Sequence, residues 1–213
     1  MTGIELKVLV IAPHPDDETL CCGGSILRYV RRGDEVHVAV VTDGRYGAPR
    51  EDLRGKNELV QLRKSELYRA VGRLGLKPGD VTFLGFEDAH VRLKAGEVEY
   101  ALRDLMRAWN PSVVYSPLPH DGHPDHSEVG RIVMRLGVPA RFYLIWLPRG
   151  TRKIELLQLR NWRRVRVDIC KHRETKIGAI NEYRSQLGGL GKILERLTGR
   201  FETFYVNASL HLT

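Results

Sequence analysis

The most constraining feature of this sequence is an apolar strand that runs directly into a histidine and three consecutive carboxylates. Residues 8–11 (VLVI) form a continuous apolar run, which is typical of a strand covered on both faces of a parallel sheet. Pro15 suits the first position of a helix, so residues 16–18 (DDE) are predicted to occupy the first helical turn. His14 then lies at the carboxyl end of the strand, where ligands collect in open α/β sheets. Because carboxylates at this density are costly to hold together without a cation, the segment predicts a metal site.

A second ligand-rich segment follows another short apolar strand, residues 113–115 (VVY), about a hundred residues later. It carries three histidines and two aspartates, namely His120, Asp121, His123, Asp125 and His126. Acidic residues in a first helical turn are ordinarily capping residues, and a lone histidine is ordinarily a surface or core residue. Two such segments, each at the end of a strand, instead favour a shared metal site.

Strands alternate with helices along most of the chain. Apolar patterns predict helices over residues 20–32, 57–74, 97–109, the segment from HPDH to 136, and 171–187. They predict further strands over residues 36–42, 81–84, 142–147 and 163–169. This alternation is typical of a Rossmann-like, three-layer α/β/α fold with a mainly parallel sheet. No G-x-G-x-x-G motif follows the first strand, so the architecture does not point to a dinucleotide.

The motifs PHPDDE and HPDH resemble the signatures of the PIG-L/LmbE family of zinc-dependent de-N-acetylases, which remove acetyl groups from N-acetylglucosamine-type sugars. Further positions resemble those of the family in the same order, namely Arg63, Glu66, Asp88, Ser185 and Gln186. The likeness covers most of residues 7–187. It implies an LmbE-like fold and an enzyme, a metal-dependent deacetylase that releases acetate and a free amine.

The resemblance implies one zinc ion per chain, with His14, Asp17 and His126 as its ligands. Two imidazoles and one carboxylate leave the fourth position open to water, which is the pattern of a catalytic zinc site. Zinc in such a site lowers the pKa of bound water to about 7 and polarises a carbonyl oxygen. Cys21 and Cys22 are also potential ligands, but the small residues around them favour burial in a closely packed helix.

The resemblance implies that Asp16 is the general base, that His123 stabilises the oxyanion or acts as an acid, and that Asp125 orients His123. These residue types fit the chemistry of amide hydrolysis. We expect the helix dipole to keep Asp16 ionised, so that it accepts a proton from water. A protonated His123 would donate to the tetrahedral oxyanion and then to the leaving amine.

Arg63 and Asp88 match family positions that touch the sugar. Without the family, Arg63 and Glu66 would be expected to form an ion pair on the surface of their helix. Some relatives carry a tyrosine at the position of Asp121, so the substrate contacts near this residue are undefined. The substrate remains open among free N-acetylglucosamine, a chitin disaccharide, a glucosaminyl conjugate and a lipid-linked sugar.

The size of the chain is that of one ordinary globular unit. With 213 residues, of which 42% are hydrophobic, residues 1–213 are expected to form a single domain. Residues 188–213 form a tail of uncertain structure, in which residues 201–207 (FETFYVN) are expected to add an edge strand or cover the active-site mouth. Three scattered cysteines and the lack of a long apolar run favour a cytoplasmic protein without a transmembrane segment. The family resemblance implies a homo-oligomer, either a trimer or a hexamer.

The net charge of +8 keeps a second class of function open. Basic residues are concentrated in one region, namely Arg149, Arg152, Lys153, Arg160, Arg163, Arg164, Arg166, Lys171 and Arg173. Such a region could bind RNA, anionic lipid or a phosphorylated sugar, although basic residues interspersed with apolar ones are more often a solvated face. No nucleic-acid-binding motif is present, so a nucleic-acid partner is not expected. The other alternative is a metallophosphoesterase, but those enzymes commonly use two metals and need more ligands.

Overall fold

The computed structural model describes residues 5–47, 51–147, 161–191 and 193–211. Its first part contains β1 (Lys7–Ala12), α1 (Asp17–Arg32), β2 (Glu35–Thr42), α2 (Asn57–Arg73), β3 (Val81–Phe86), α3 (Ala95–Trp109), β4 (Val113–Pro117), α4 (Pro124–Leu136) and β5 (Ala140–Tyr143). The remainder contains β6 (Trp162–Asp168), α5 (Arg173–Ile180), α6 (Leu187–Leu190), α7 (Ile193–Leu197) and β7 (Phe201–Asn207). Short 3-10 helices lie at Pro78–Asp80, Cys170–His172 and Ala208–His211. Four members of the basic region lie outside the described residues, namely Arg149, Arg152, Lys153 and Arg160.

The strands form one seven-stranded sheet in the order β3-β2-β1-β4-β5-β7-β6. Strands β1 to β5 are parallel, whereas β7 runs antiparallel to both β5 and β6. The strand order reverses between β1 and β4, because the chain moves outward from β1 to β3 and then returns to the other side of β1. Ligands bind at the carboxyl ends of the strands at such a reversal. The prediction of a mainly parallel sheet is confirmed, and the reversal places a binding crevice after β1 and β4.

Helices cover both faces of this sheet. Along β1, Val8 and Val10 belong to the core beneath α1 and α2, whereas Leu9 and Ile11 belong to the core beneath α3 and α4. Because both faces of β1 are buried, its sequence is apolar without alternation. The predicted three-layer α/β/α architecture is therefore confirmed. None of the helices in the described ranges combines the length and the hydropathy that crossing a membrane would require.

Helix α1 packs closely against the segment that follows β6. A Cβ atom at Gly24 would lie 2.5 Å from the side chain of Ile169, so only glycine allows this approach. Cys21 and Cys22 are buried in the same part of the helix, and burial raises the pKa of both thiols. The expectation that these cysteines are packing residues is confirmed.

The last third of the chain differs from its prediction. Strand β5 ends at Tyr143, so residues 144–147 form a loop, and the helix predicted over residues 171–187 ends at Ile180. Strand β7 pairs with β5 on one side and along its whole length with β6 on the other. The strand expected over residues 201–207 is therefore confirmed, but the expectation that it lies at the edge of the sheet or covers the active-site mouth is wrong. The strand order places this segment inside the sheet, between β5 and β6, and Phe204 on it is fully buried.

Candidate active site

The loops after β1 and β4 bring two histidines and one aspartate together. Nδ1 of His14 lies 3.1 Å from Nε2 of His126, and Oδ2 of Asp17 lies 3.3 Å from each of these nitrogens. All three side chains are buried. Tetrahedral zinc, with ligand bonds of about 2.0–2.2 Å, separates its ligand atoms by roughly 3.3–3.6 Å. The three atoms therefore form a triangle close to the size that one such ion requires.

The electrostatics of this cluster favour a bound cation. Burial lowers the pKa of His126, but the negative charges of Asp17 and Asp121 outweigh it and raise the value to about 9. The pKa of His14 is also raised, because hydrogen bonds to carboxylates, first of all Asp125, outweigh its burial. The buried carboxylates thus hold positive charge on both imidazoles. A divalent ion would satisfy the same demand.

The ring nitrogens that face away from the triangle contact further carboxylates. Nε2 of His14 lies 3.1 Å from Oδ1 of Asp88 and 3.3 Å from Oδ2 of Asp125. Nδ1 of His126 lies 3.3 Å from Oδ1 of Asp121, although this contact is poorly aligned for a hydrogen bond. Metal-ligating histidines generally present one nitrogen to the ion and hold the other on a carboxylate or carbonyl. The outer contacts of both histidines therefore fit a metal site as well.

Asp121 accepts hydrogen bonds from two loops, the loop that precedes α4 and the loop that follows β5. Its Oδ1 accepts the amide of His123 at 2.9 Å, and its Oδ2 accepts the amides of Ile145 and Trp146 at 2.8 and 3.1 Å. The residue is buried, and both carboxylate oxygens are engaged by the main chain. Asp121 therefore supports the loop behind His126.

Asp16 immediately precedes α1 and has a backbone conformation that residues other than glycine rarely adopt, with φ 141° and ψ −28°. Its amide donates to Oε2 of Glu18 at 3.1 Å, and its Oδ2 accepts from Arg63 at 3.0 Å. Burial raises the pKa of the Asp16 carboxyl to about 7, although the positive charge of Arg63 opposes the change. Asp16 lies at the N-cap position rather than in the first turn as expected, and its side chain makes no capping hydrogen bond. Burial, and not the helix dipole, has the largest effect on its pKa. A pKa near 7 suits a base that works at neutral pH.

Arg63 is buried behind Asp16. One terminal nitrogen donates to the carbonyls of Gly44 and Gly47, and the other donates to the carbonyl of Pro15 as well as to Asp16. A Cβ atom at Gly44 or Gly47 would lie 2.6 or 2.4 Å from the guanidinium, so these glycines make room for it. Arg63 therefore ties the loop after β2 to the loop that carries the candidate base.

Glu66 lies on the same helix and bonds a different loop. Its two carboxylate oxygens accept the amide and the hydroxyl of Ser185 at 2.9 and 2.6 Å. Gln186 donates to the same hydroxyl at 2.8 Å and lines the cavity described below. The expected surface ion pair between Arg63 and Glu66 is wrong, because both side chains are buried and each holds a separate loop.

His123 caps the amino end of α4. Its Nδ1 accepts the amide of Asp125 at 3.2 Å, so the neutral ring carries its hydrogen on Nε2. Burial, together with the positive charges of His14 and His126, lowers the pKa of His123 to about 4. The carboxylate of Asp125 instead accepts the amide of Ala89 at 2.8 Å and contacts His14. This environment favours the neutral form of His123, and Asp125 contacts the ring through its main-chain amide rather than through its carboxylate.

These groups open into one cavity of about 410 Å³. Besides the predicted residues, its walls contain Leu20, Tyr46, Arg54, Ile145, Trp146 and Leu190. The sequence pattern did not reveal this wall, because residues 144–147 read as a strand and Leu190 lies in the tail without a clear pattern. His120 does not contribute to the lining, and its ring lies 6.5 Å from that of Trp162.

Comparison with known proteins places this site in a family. Residues 9–136, which include both loops of the metal triangle, match the PIG-L family of GlcNAc-PI de-N-acetylases. This chain belongs to the PIG-L family. The match spans more than half of the chain and contains every residue of the predicted metal, catalytic and sugar-binding sets.

Individual PIG-L relatives and neighbours differ in what they do. The probable N-acetyl-alpha-D-glucosaminyl L-malate deacetylase 2 of Bacillus anthracis is 33% identical over 133 residues, which are 61% of this chain and 58% of that protein. The structure of N,N'-diacetylchitobiose deacetylase from Pyrococcus horikoshii, in complex with its inhibitor MPG, has a TM-score of 0.78 and 24% identity over 99% of this chain and 86% of that one. GalB, a 4-carboxy-2-hydroxymuconate hydratase from Pseudomonas putida, has a TM-score of 0.73 and 18% identity over 95% of each chain. Because the fold accommodates both hydrolase and hydratase, the reaction must be argued from the site.

Proposed function

We propose that the protein is a zinc-dependent deacetylase that hydrolyses the acetamide of an N-acetylglucosamine-type sugar or its conjugate, releasing acetate and a free amine. The observation that carries this proposal is the triangle of His14, Asp17 and His126 beside the buried carboxylate of Asp16. A three-ligand metal site next to a base is the arrangement that metal-assisted hydrolysis requires. Membership of the PIG-L family supports the choice of an acetamide as the scissile group.

We assign His14, Asp17 and His126 as the ligands of one zinc ion per chain. Two imidazole nitrogens and one carboxylate oxygen suit zinc better than magnesium or calcium, which prefer oxygen ligands. When bound, zinc polarises the acetamide carbonyl and lowers the pKa of water. Replacing zinc would therefore change the rate, whereas removing it should abolish turnover.

Asp16 and His123 carry the proton chemistry. The Asp16 carboxylate accepts a proton from the attacking water, which its pKa near 7 allows at neutral pH. The Nε2–H of His123 donates a hydrogen bond to the oxygen that becomes negatively charged when water adds to the acetamide carbon. Because the pKa of His123 is lowered to about 4, its protonated form is scarce, so the proton held on Asp16 passes to the leaving amine.

Asp125 and the sugar-binding residues support this chemistry. We propose that Asp125 holds His14 through its carboxylate and His123 through its amide. Asp88 and Arg63 line the cavity and remain our candidates for contacts with the sugar. The apolar residues Leu20, Ile145 and Leu190 offer a wall that the acetyl methyl group can contact.

A two-metal phosphoesterase would need a second set of free ligands. Asp88 and Asp125 lie within 4.8 Å of a ring nitrogen of His14, but on the side of the ring that faces away from the triangle. Oδ2 of Asp88 accepts the amide of Tyr46, and the oxygens of Asp125 accept those of Ala89 and Val91. Because these carboxylates face away from the triangle and hold its outer side, one ion per chain is expected. Elemental analysis that found two ions per chain would favour the phosphoesterase.

The expected surroundings of the enzyme are part of the same proposal. We propose a cytoplasmic homo-oligomer, either a trimer or a hexamer. The large apolar side chains of Leu93 and Tyr100 are 78% and 73% exposed, which is consistent with a surface covered in an assembly. Free, buried Cys21 and Cys22 are consistent with a reducing compartment. Light scattering on the purified protein measures the oligomeric state.

The deciding experiment is a deacetylation assay on the purified, zinc-loaded protein. The enzyme is incubated separately with N-acetylglucosamine, N,N'-diacetylchitobiose and a glucosaminyl conjugate. The acetate and the free amine released are both measured, and they should appear in equal amounts. We expect release with at least one substrate, its loss on chelation, and its recovery when zinc is restored. Zinc-loaded protein that releases acetate from none of the three would contradict the proposal.

A further inference from the structure

A second cavity lies at the other end of α1 from the metal triangle. It has a volume of about 530 Å³, and we call it the arginine cavity. Its lining consists of Ser25, Arg28, Tyr29, Arg31, Arg32, Tyr115, Arg141, Val167 and His172. Since an α-helix rises 1.5 Å per residue, Arg28 lies roughly 17 Å along the helix axis from Asp17. The arginine cavity is therefore separate from the candidate active site.

Most of the arginines in the arginine cavity form no ion pair with any residue that the structure describes. Arg32 pairs with Asp34, with 2.6 Å between the atoms. Arg28 donates to the carbonyl oxygen of Asp168 at 3.3 Å, but within the described part of the chain neither it nor Arg31 nor Arg141 has a carboxylate oxygen within 4.0 Å. Three such guanidinium groups around one concave space create a strongly positive potential.

Arg141 is held in place by hydroxyl groups rather than by a charge. Its guanidinium donates to the hydroxyls of Tyr115 and Tyr29 at 2.9 and 3.4 Å and lies 5.7 Å from the centre of the Tyr115 ring. Tyr115 is fully buried, so it fixes the guanidinium in one place at the base of the cavity. A cation that is oriented but not neutralised is well arranged to bind an incoming anion.

His172 also contributes to the lining of this cavity. Its Nδ1 is buried and has no hydrogen-bond partner among the described residues. Glu202, a buried carboxylate, is already bound by Lys176 and by the amide and hydroxyl of Ser25. Among the described residues, Arg28 and Arg141 therefore donate only to neutral acceptors, the carbonyl of Asp168 and the hydroxyls of Tyr29 and Tyr115.

We infer that the arginine cavity is a binding site for a small molecule that carries a phosphate group. The guanidinium fork matches the geometry of phosphate oxygens, and a dianion neutralises more of the three charges than a single carboxylate does. A volume of about 530 Å³ holds a ligand of the size of a phosphorylated sugar. Because the site is remote from the metal triangle, the inference does not depend on the deacetylase activity.

Titration calorimetry of the zinc-loaded, full-length protein with inorganic phosphate at low salt tests this inference. The wild type is expected to bind one phosphate per chain. Replacing one charge-assisted hydrogen-bond donor should weaken binding roughly tenfold, so Arg141→Gln and Arg31→Gln should each show such a loss. Arg107→Gln is the matched control, because Arg107 also lies in the last turn of a helix but on the other face of the sheet. The phosphate affinity of this variant should remain within about twofold of that of the wild type.

Several results would overturn the inference. The inference would be overturned if the wild-type protein bound no phosphate. It would also be overturned if Arg107→Gln weakened phosphate binding as much as the two cavity variants do, because that would indicate general attraction to a basic protein. Phosphate binding that both Arg31→Gln and Arg141→Gln leave unchanged would place the anion elsewhere. If Arg141→Gln lowers the melting temperature, Arg31→Gln decides the matter, since Arg31 is exposed and its side chain forms no hydrogen bond or ion pair with the residues that the structure describes.

Discussion

Both loops of the candidate active site contain the tripeptide His-Pro-Asp, yet its two copies have different conformations. In the first copy, α1 begins only at Asp17, and Asp16 precedes it with a positive φ. In the second copy, α4 begins directly after His123, and Asp125 lies inside the first turn. As a result, the first aspartate faces the cavity, whereas the second turns its carboxylate behind the metal triangle.

The difference comes from the partners that each loop finds elsewhere in the fold. Asp16 is held in its rare backbone conformation by Arg63 on its carboxylate and by Glu18 on its amide. His123 has an ordinary extended backbone, and Asp121 accepts its amide. A strained conformation persists only when the surrounding structure holds it. The first loop has such support, and the second loop does not need it. The same three residues therefore serve different purposes in the two loops.

The largest effect is expected at the metal triangle, to which both loops contribute ligands. Asp17→Ala removes a ligand from the first loop and His126→Ala removes one from the second, so each should lose bound zinc and lower turnover by roughly a thousandfold or more. Zinc per chain is measured by elemental analysis and turnover by amine release. Asp104→Ala, which changes an exposed carboxylate on α3, is the control and should leave both unchanged. A ligand variant with full zinc content would remove that residue from the metal site.

The two aspartates of the repeated tripeptide should differ in their effect on chemistry. Asp16→Asn removes the base, so turnover should fall by about 10² to 10⁴ while zinc is retained. Asp125→Asn, assayed at saturating zinc, should lower turnover by no more than about tenfold, because its carboxylate supports His14 rather than the reacting atoms. Equal losses in the two variants, with zinc present in both, would mean that the copies are chemically equivalent.

The carboxylates behind the two histidine ligands should affect zinc affinity more than they affect turnover at saturating zinc. Asp121→Asn weakens the support of His126 and Asp125→Asn that of His14, so each should lower zinc affinity by about 10- to 100-fold. Competition with a chromophoric chelator measures the change. A loss in one variant alone would show that only one of the two loops depends on its outer carboxylate, and no loss in either would contradict the assignment.

The smallest effect is expected at Arg63, which bonds the loop after β2 to the loop that carries Asp16. Gly47→Ala places a Cβ atom 2.4 Å from the Arg63 guanidinium, so the guanidinium or the loop must shift, which should disturb the bond from Arg63 to Asp16. We expect roughly a tenfold loss of turnover with zinc unchanged, since small displacements of a catalytic group are costly. Gly96→Ala on α3 meets open space and is the matched control, for which turnover should be unchanged. Normal turnover in Gly47→Ala would show that Asp16 does not rely on Arg63.

The sequence allowed much of the parallel part of the fold to be predicted. Residues 8–11 are apolar without alternation because both faces of β1 are covered, and α1 ends at Gly33, whose φ of 87° closes the helix. The position of β7 was not predictable in the same way, since FETFYVN has the pattern of any half-buried strand. Its place between β5 and β6 depends on contacts with strands distant along the chain.

By itself, the sequence determined which residues can serve as ligands and bases, because histidines and carboxylates at the ends of two buried strands have few other reasons to occur together. Only the tertiary structure decided the purpose of each one. Asp16 and Asp125 follow the same two residues, and their carboxylates diverge because Arg63 and Glu18 hold one loop while a regular helix start holds the other. Side-chain direction at such positions depends on hydrogen bonds with distant segments, which no local pattern of residues encodes.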